Sequence, residues 1–173
     1  MAYNHQQIID RLVAKTFTRF PFLVRKWAKT AKVIEFDSIP WTSVEIKTKD
    51  LRLALVSTAG VHLKTQKPFD MDDRMGDPTF REIPWNVRKE DVMITHNYYD
   101  HTDADRDVNL VLPIELVREL VQVGEINSVA KNHYSFMGHI LGEHVKELMH
   151  QTAPEVMRRL QADGVNAVFL TPA

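Results

Sequence analysis

The run Leu51-Arg-Leu-Ala-Leu-Val56 is apolar apart from its one arginine and stops at Ser57-Thr58-Ala59-Gly60. It is too short for a stable helix, and its apolar side chains point both ways along an extended chain. Such a strand needs cover on both faces. Val92-Met93-Ile94-Thr95, Ile126–Ala130 and Val165–Leu170 repeat the pattern, and a shorter strand is expected at Phe80–Ile83. Helical stripes separate these runs. Alternation of this kind predicts an α/β fold, a Rossmann-like parallel sheet with flanking helices. Only Thr171-Pro172-Ala173 follow the last strand, so the domain reads as incomplete at its C-terminus.

The helices announce themselves by period and punctuation. Pro113 opens a stripe of Ile114, Val117, Leu120 and Val121 that Gly124 closes. After Gly138 the residues Leu141, Val145, Leu148 and Met149 fall in helical register. Thr152-x-x-Glu155, with Pro154 in the first turn, predicts a new helix that carries Val156 and Leu160 inward and ends at Gly164. Ahead of the strands, Ile8, Ile9, Leu12, Val13 and Phe17 mark one helix. Leu23, Val24, Trp27 and Ala31 mark a second, with Pro21 in its first turn. The chain therefore divides at residue 50: a helical N-terminal extension over 1–50 and an α/β domain over 51–173.

Charge sets the extension apart. Residues 1–33 hold seven Lys and Arg against Asp10 alone, a net +6, which leaves −7 for the rest of a chain whose total is −1. The basic residues are spread along amphipathic stretches rather than clustered. That pattern favours packing on the acidic body or a neighbouring subunit over nucleic acid. No apolar run approaches the roughly 18 residues of a bilayer span, and no signal-peptide core is present, so a cytoplasmic protein is expected. With no cysteine in the chain, disulfides, thiolate metal sites and a thiol nucleophile are excluded within these residues.

Four post-strand loops would share the carboxyl edge of a parallel sheet, where ligands gather. They are Ser57–His62, His96–Asp107, Asn132–Gly138 and the terminal Thr171–Ala173. In the first, Gly60 suits a turn with positive φ, and no nucleotide-binding glycine fingerprint occurs. In the second, Asp103, Asp105 and Asp107 have calcium-loop spacing. Val108 and Ile114 occupy the positions that need glycine and glutamate, so a metal is not expected. In the third, His133 or Tyr134 could move a proton, or free backbone N–H groups could hold a carboxylate.

Short motifs in fixed order carry a resemblance that runs from Leu51 to the end. They are Ala59-Gly60-Val61-His62, Gly76-Asp77, Phe80-Arg81-x-Ile83-Pro84, His96-x-x-Tyr99-Asp100 and Asp107-x-Asn109 leading to Pro113. Phe136-Met137-Gly138 and Gly164-Val165-x-Ala167-Val168-x-Leu170-Thr171 complete the set. Together they resemble the selenoprotein B group of glycine, sarcosine, betaine and D-proline reductases, most of all its D-proline reductase branch. The resemblance implies reductive C–N bond cleavage in a small amino-acid-like substrate. It implies a selenocysteine or cysteine nucleophile directly after Ala173, a pyruvoyl group on a partner subunit, a dithiol electron donor and an oligomeric assembly. A selenocysteine codon read as a stop is the expected reason for the ending. A substrate-binding or regulatory pseudoenzyme is one alternative, and a metal-dependent hydrolase using the His96–Asp107 loop is another. On this reading His62 and His96 are the candidate proton donors. Gly60, Tyr99, Asp100, Tyr134 and Gly138 are the candidate substrate-binding residues.

Overall fold

The computed structural model describes residues 4–29 and 41–172. Ala31, the start of the connection after Glu35, and Ala173 lie outside these residues. The protein is α/β, and its sheet is built around β1 (Arg52–Ser57). On one side β1 pairs in parallel with β7 (Ala167–Thr171) along its length, from Leu53 against Ala167 to Ser57 against Thr171. On the other side it pairs in parallel first with β5 (Ser128–Val129) and then with β6 (Asn132–Ser135). The sheet is not wholly parallel. β3 (Arg81–Pro84) closes the β6 edge in antiparallel register. The strand expected at Val92–Thr95 forms as β4 (Val92–Ile94), but it leaves the main sheet and pairs antiparallel with β2 (Val61–Leu63).

Strand alternation sorts β1 into two cores. Leu55 faces a cluster with Val61, Ile83, Ile94, Leu112 and Ile114, while Ala54 faces Ala130, Tyr134, Phe136, Val156 and Leu160. Helix α3 (Ile114–Gln122) covers the first face and α5 (Ala153–Ala162) the second. Leu55, Ile83, Leu112 and Ile114 are essentially inaccessible to solvent. Burial at such a position contributes about 1.5–3 kcal/mol. The α3 stripe, its Pro113 start and its Gly124 end are as expected, with Gly124 at φ 75.

Two local readings differ from expectation. The segment from Asn132 is a strand rather than a loop, and the next helix begins only at α4 (Glu143–Glu147). The Thr152–Glu155 box does not start a helix. α4 runs through a π-helical turn, Leu148–Thr152, directly into α5, and Thr152 makes no side-chain cap. The wider turn accommodates Pro154, which has no N–H to donate and whose ring would crowd an α-helical carbonyl.

The N-terminal extension forms α1 (His5–Arg19), held by an Asn4–Gln7 capping box, and α2 (Pro21–Ala28) with Pro21 in its first turn. The extension meets the body through side-chain amides. Asn4 Nδ2 and Gln7 Nε2 both donate to Asp72 Oδ1 at 2.9 Å, and Arg74 donates to Gln6 Oε1 at 3.1 Å. Ile8, Leu12, Val13, Phe22 and Trp27 stay exposed. No helix among the described residues is long and apolar enough to cross a membrane.

Candidate functional site

The carboxyl ends of the parallel strands and the loop after β4 meet, joined by backbone hydrogen bonds. Thr58 N donates to Thr171 O (3.1 Å), Gly60 N to Phe136 O (2.9 Å) and Thr95 N to Gly60 O (3.0 Å). The Thr171 hydroxyl donates to Val111 O (2.7 Å), which ties the end of β7 to the segment before α3. Gly60 has φ 72, and a Cβ there would lie 2.5 Å from Thr95 O, so only glycine fits this crossing. Gly138 sits beside the same loop, where a Cβ would approach Thr58 O to 3.1 Å.

The histidines of this region divide by what their nitrogens touch. His62 is fully buried; its Nδ1 faces Leu63 O (2.8 Å) and its Nε2 faces Thr95 Oγ1 (2.8 Å). The carbonyl fixes the proton on Nδ1, so Nε2 accepts from the threonine. Burial holds its pKa below the usual range, outweighing the Leu63 carbonyl, and Arg81 acts in the same sense as burial. In His133, Nδ1 accepts the backbone N–H of Leu55 (3.1 Å), which neither β5 nor β6 reaches. Burial, with Arg118 adding, brings its pKa down to about 4.

His133 Nε2 is buried without a hydrogen-bond partner among the described residues, and the loop after β4 holds more such atoms. His96 Nδ1 accepts Tyr98 N (3.0 Å), so the neutral ring carries its proton on Nε2. Burial lowers its pKa to about 3, with His101 and His139 adding to the effect. The Tyr99 ring meets His96 edge to face at 4.7 Å and lies 5.5 Å from His101. Its hydroxyl donates to Ala59 O (3.1 Å), and burial raises its pKa. His101 Nδ1 faces Asp105 Oδ2 at 2.8 Å. Among the described residues, His96 Nε2, Asn97 Nδ2 and His101 Nε2 are buried without a hydrogen-bond partner. No three His, Asp or Glu side chains among the described residues gather as a metal-binding group.

The profile of the glycine/sarcosine/betaine reductase selenoprotein B family matches residues 24–173. The chain belongs to this family. It is 40% identical over 131 residues to the D-proline reductase subunit gamma of Acetoanaerobium sticklandii. That alignment covers 76% of this chain and 52% of the relative, so the chain spans about half the length of the curated relative it matches. No solved structure matches it.

Within this selenoprotein B chain, four of the residues singled out from sequence come together: Gly60, His96, Tyr99 and Gly138. His62 lies directly behind Gly60 with both nitrogens engaged. Asp100 caps the turn beyond Tyr99, where Oδ1 accepts from Thr102 Oγ1 (2.6 Å) and N (3.2 Å). The Thr102 hydroxyl is the main cause of its lowered pKa. Tyr134 stands on the other face of the sheet, 5.7 Å from the Phe80 ring, in a cleft with Glu82 and Arg159. Asn97 and the His101–Asp105 pair were not singled out as site residues. The available signal was the four-residue spacing of His101 and Asp105, which close one turn through Asp105 N and His101 O (2.8 Å).

Proposed function

We propose that this chain forms the substrate-facing part of a reductase that cleaves a C–N bond in a small amino-acid-like substrate. The nucleophile would be a selenocysteine or cysteine directly after Ala173. The observation that carries this reading is the position of Thr171. Bonded to Thr58 and Val111, it delivers the polypeptide that follows β7 to the edge where Gly60, His96, Tyr99 and Gly138 meet. A low-pKa chalcogenolate there would supply the anion that displaces the amine, with a dithiol returning two electrons.

The residues of this chain act around that centre by position and hydrogen bonding. Gly60 and Gly138 let backbone approach backbone. His96 offers Nε2–H to substrate; at about 3 its pKa keeps it a neutral donor near pH 7 rather than a proton reservoir. His62, with no free nitrogen, supports Gly60 and Thr95. Tyr99 stays a phenol because burial disfavours the phenolate. Asp100 fixes the turn that presents them, and Tyr134 supports the strand from the opposite face. The relative is named as a subunit, which supports partner subunits and an oligomeric assembly; a pyruvoyl group on one of them is what the family resemblance implies. A dithiol-driven reaction suits the reducing cytoplasm.

The test is expression of the gene together with the sequence downstream of codon 173. The expected product contains one selenium or one added redox cysteine per chain. In the presence of its pyruvoyl partner it gives dithiothreitol-dependent amine release or ring opening on a panel of glycine, sarcosine, betaine and D-proline. A UAA or UAG stop with no continuing frame would overturn the reading. So would a full-length product inert toward the whole panel.

A further inference from the structure

Helix α1 sits on the body the wrong way round. Its least exposed positions are Gln7, Asp10, Arg11, Ala14 and Phe17, spaced by three and four, and only Ala14 and Phe17 are apolar. The opposite side carries Ile8, Ile9, Leu12 and Val13, each between 39% and 59% exposed. A surface helix ordinarily turns its apolar stripe inward, and one that turns it outward fits a further surface. Lys15 and Arg19 continue the row of Ile8 and Leu12 along the helix. The contacts of α1 with Asp72 and Arg74 use Asn4, Gln6 and Gln7 near its start, which leaves this row open.

The body holds a matching face. Helix α3 buries Ile114 and Val117, yet Leu116, Leu120 and Val123 form a second apolar row on its solvent side, at 52%, 41% and 70% exposure. Glu119 lies within that row and Glu125 just beyond it, both exposed. Charge decides what such rows can meet. Residues 4–29 hold six Lys and Arg against Asp10, a net +5, whereas residues 114–125 hold three Glu against Arg118, a net −2. Two copies of α1 would repel each other, but α1 and α3 attract. Arg118 does not oppose this, because it donates to the carbonyls of Trp85 and Val87. Among the described residues, no ion pair holds Lys15, Arg19, Glu119 or Glu125.

We propose that α1 docks on α3 of a second copy of this chain, apolar row against apolar row, with Lys15 and Arg19 facing Glu119 and Glu125. The contact is reciprocal. Each copy gives its own α1 and receives the other's, so two equal contacts close a two-fold dimer. Helices packed through such rows lie about 8–10 Å apart, close enough to exclude water from the leucines and to strengthen the flanking ion pairs. The proposal stands apart from the reductase reading, since neither helix supplies a residue of the candidate site.

The experiment is sedimentation velocity of the full chain across a concentration series, in low and in high salt. The chain is expected to form a dimer that weakens as salt rises. Two double variants reverse one partner each: Lys15→Glu with Arg19→Glu, and Glu119→Lys with Glu125→Lys. Each alone should weaken the dimer about tenfold or more, because like charges then face each other in both contacts. Circular dichroism should be unchanged, since all four side chains are exposed. An equimolar mixture of the two variants should recover the dimer, because every acidic row in the mixed pair meets a basic one. Leu116→Ser should weaken it without altering charge. A chain that stays monomeric would overturn the proposal. So would a dimer that neither reversal affects, or a mixture that fails to associate. Recruitment of the monomer to phosphatidylglycerol vesicles, with no dimer in solution, would overturn it in favour of a lipid surface.

Discussion

The loop after β4 and the N-terminal helices invert each other's burial. In the loop, polar nitrogens of His96, Asn97 and His101 are shut away from solvent without partners. On α1 and α2, Ile8, Leu12, Phe22 and Trp27 are largely exposed, as are Val168, Phe169 and Leu170 on β7. Each breaks the ordinary sorting of side chains, and each does so at a cost to the isolated fold. The first kind of violation is local and polar, which suits a small ligand. The second is broad and apolar, which suits other polypeptide. The two kinds of exception therefore occupy separate parts of the chain.

The sharpest way to break this contrast is at the crossing that holds the loop in place. Gly60→Ala puts a methyl 2.5 Å from Thr95 O at φ 72, so backbone must move. We expect a loss of about 3 kcal/mol or more in urea unfolding. A loss below about 1 kcal/mol would show that the loop is softer than its hydrogen bonds imply.

The buried histidines give the next effect through pH. Their folded pKa values, about 3 for His96 and about 4 for His133, lie below the ordinary 6.5. The unfolded chain therefore binds protons that the folded chain refuses. Stability from these two groups is whole above about pH 6.5 and falls as the pH drops from there toward 4. The slope approaches about 1.4 kcal/mol per pH unit for each group. Urea midpoints between pH 7 and 4.5 measure it, and H133N should reduce the slope. A flat profile would mean that the rings are hydrated in solution.

The smallest effect on folding belongs to the apolar surface. Phe169→Ser and Trp27→Ser should each change unfolding free energy by no more than about 0.5–1 kcal/mol, since both residues are about half exposed. Both should reduce self-association or partner capture in sedimentation velocity. A loss above about 2 kcal/mol in the monomer would make these side chains part of a core instead.

Much of the scaffold was legible in the sequence because it depends on local chemistry. Leu51–Val56, the Pro113 and Gly124 boundaries, Pro21 and the positive φ of Gly60 follow from period, missing donors and missing Cβ atoms. What pairs with what was not legible. Val92–Ile94 looks like any buried strand, yet it joins β2 rather than the main sheet. β6 was hidden because His133 and Ser135 are polar, and the burial of His133 makes sense only once Leu55 N needs an acceptor. Thr152 and Glu155 satisfy a helix-start pattern that the preceding helix overrides. At the site, glycines and His96 were recognisable by motif. The His101–Asp105 pair was visible only as spaced acids, a pattern first suggestive of calcium.

The detour between β5 and β6 sets a rule of parity. Leu53 pairs with Val129 and Val56 with Tyr134. Two residues of β1 are thus spanned by four on its neighbour. The surplus is even, so inward and outward positions keep their phase, and Tyr134 returns to the same core as Ala54. Insertions or deletions in this stretch are therefore tolerated in twos. A single added residue would rotate Tyr134 and the residues after it into the opposite layer and carry the Met137–Gly138 contact away from the crossing at Gly60.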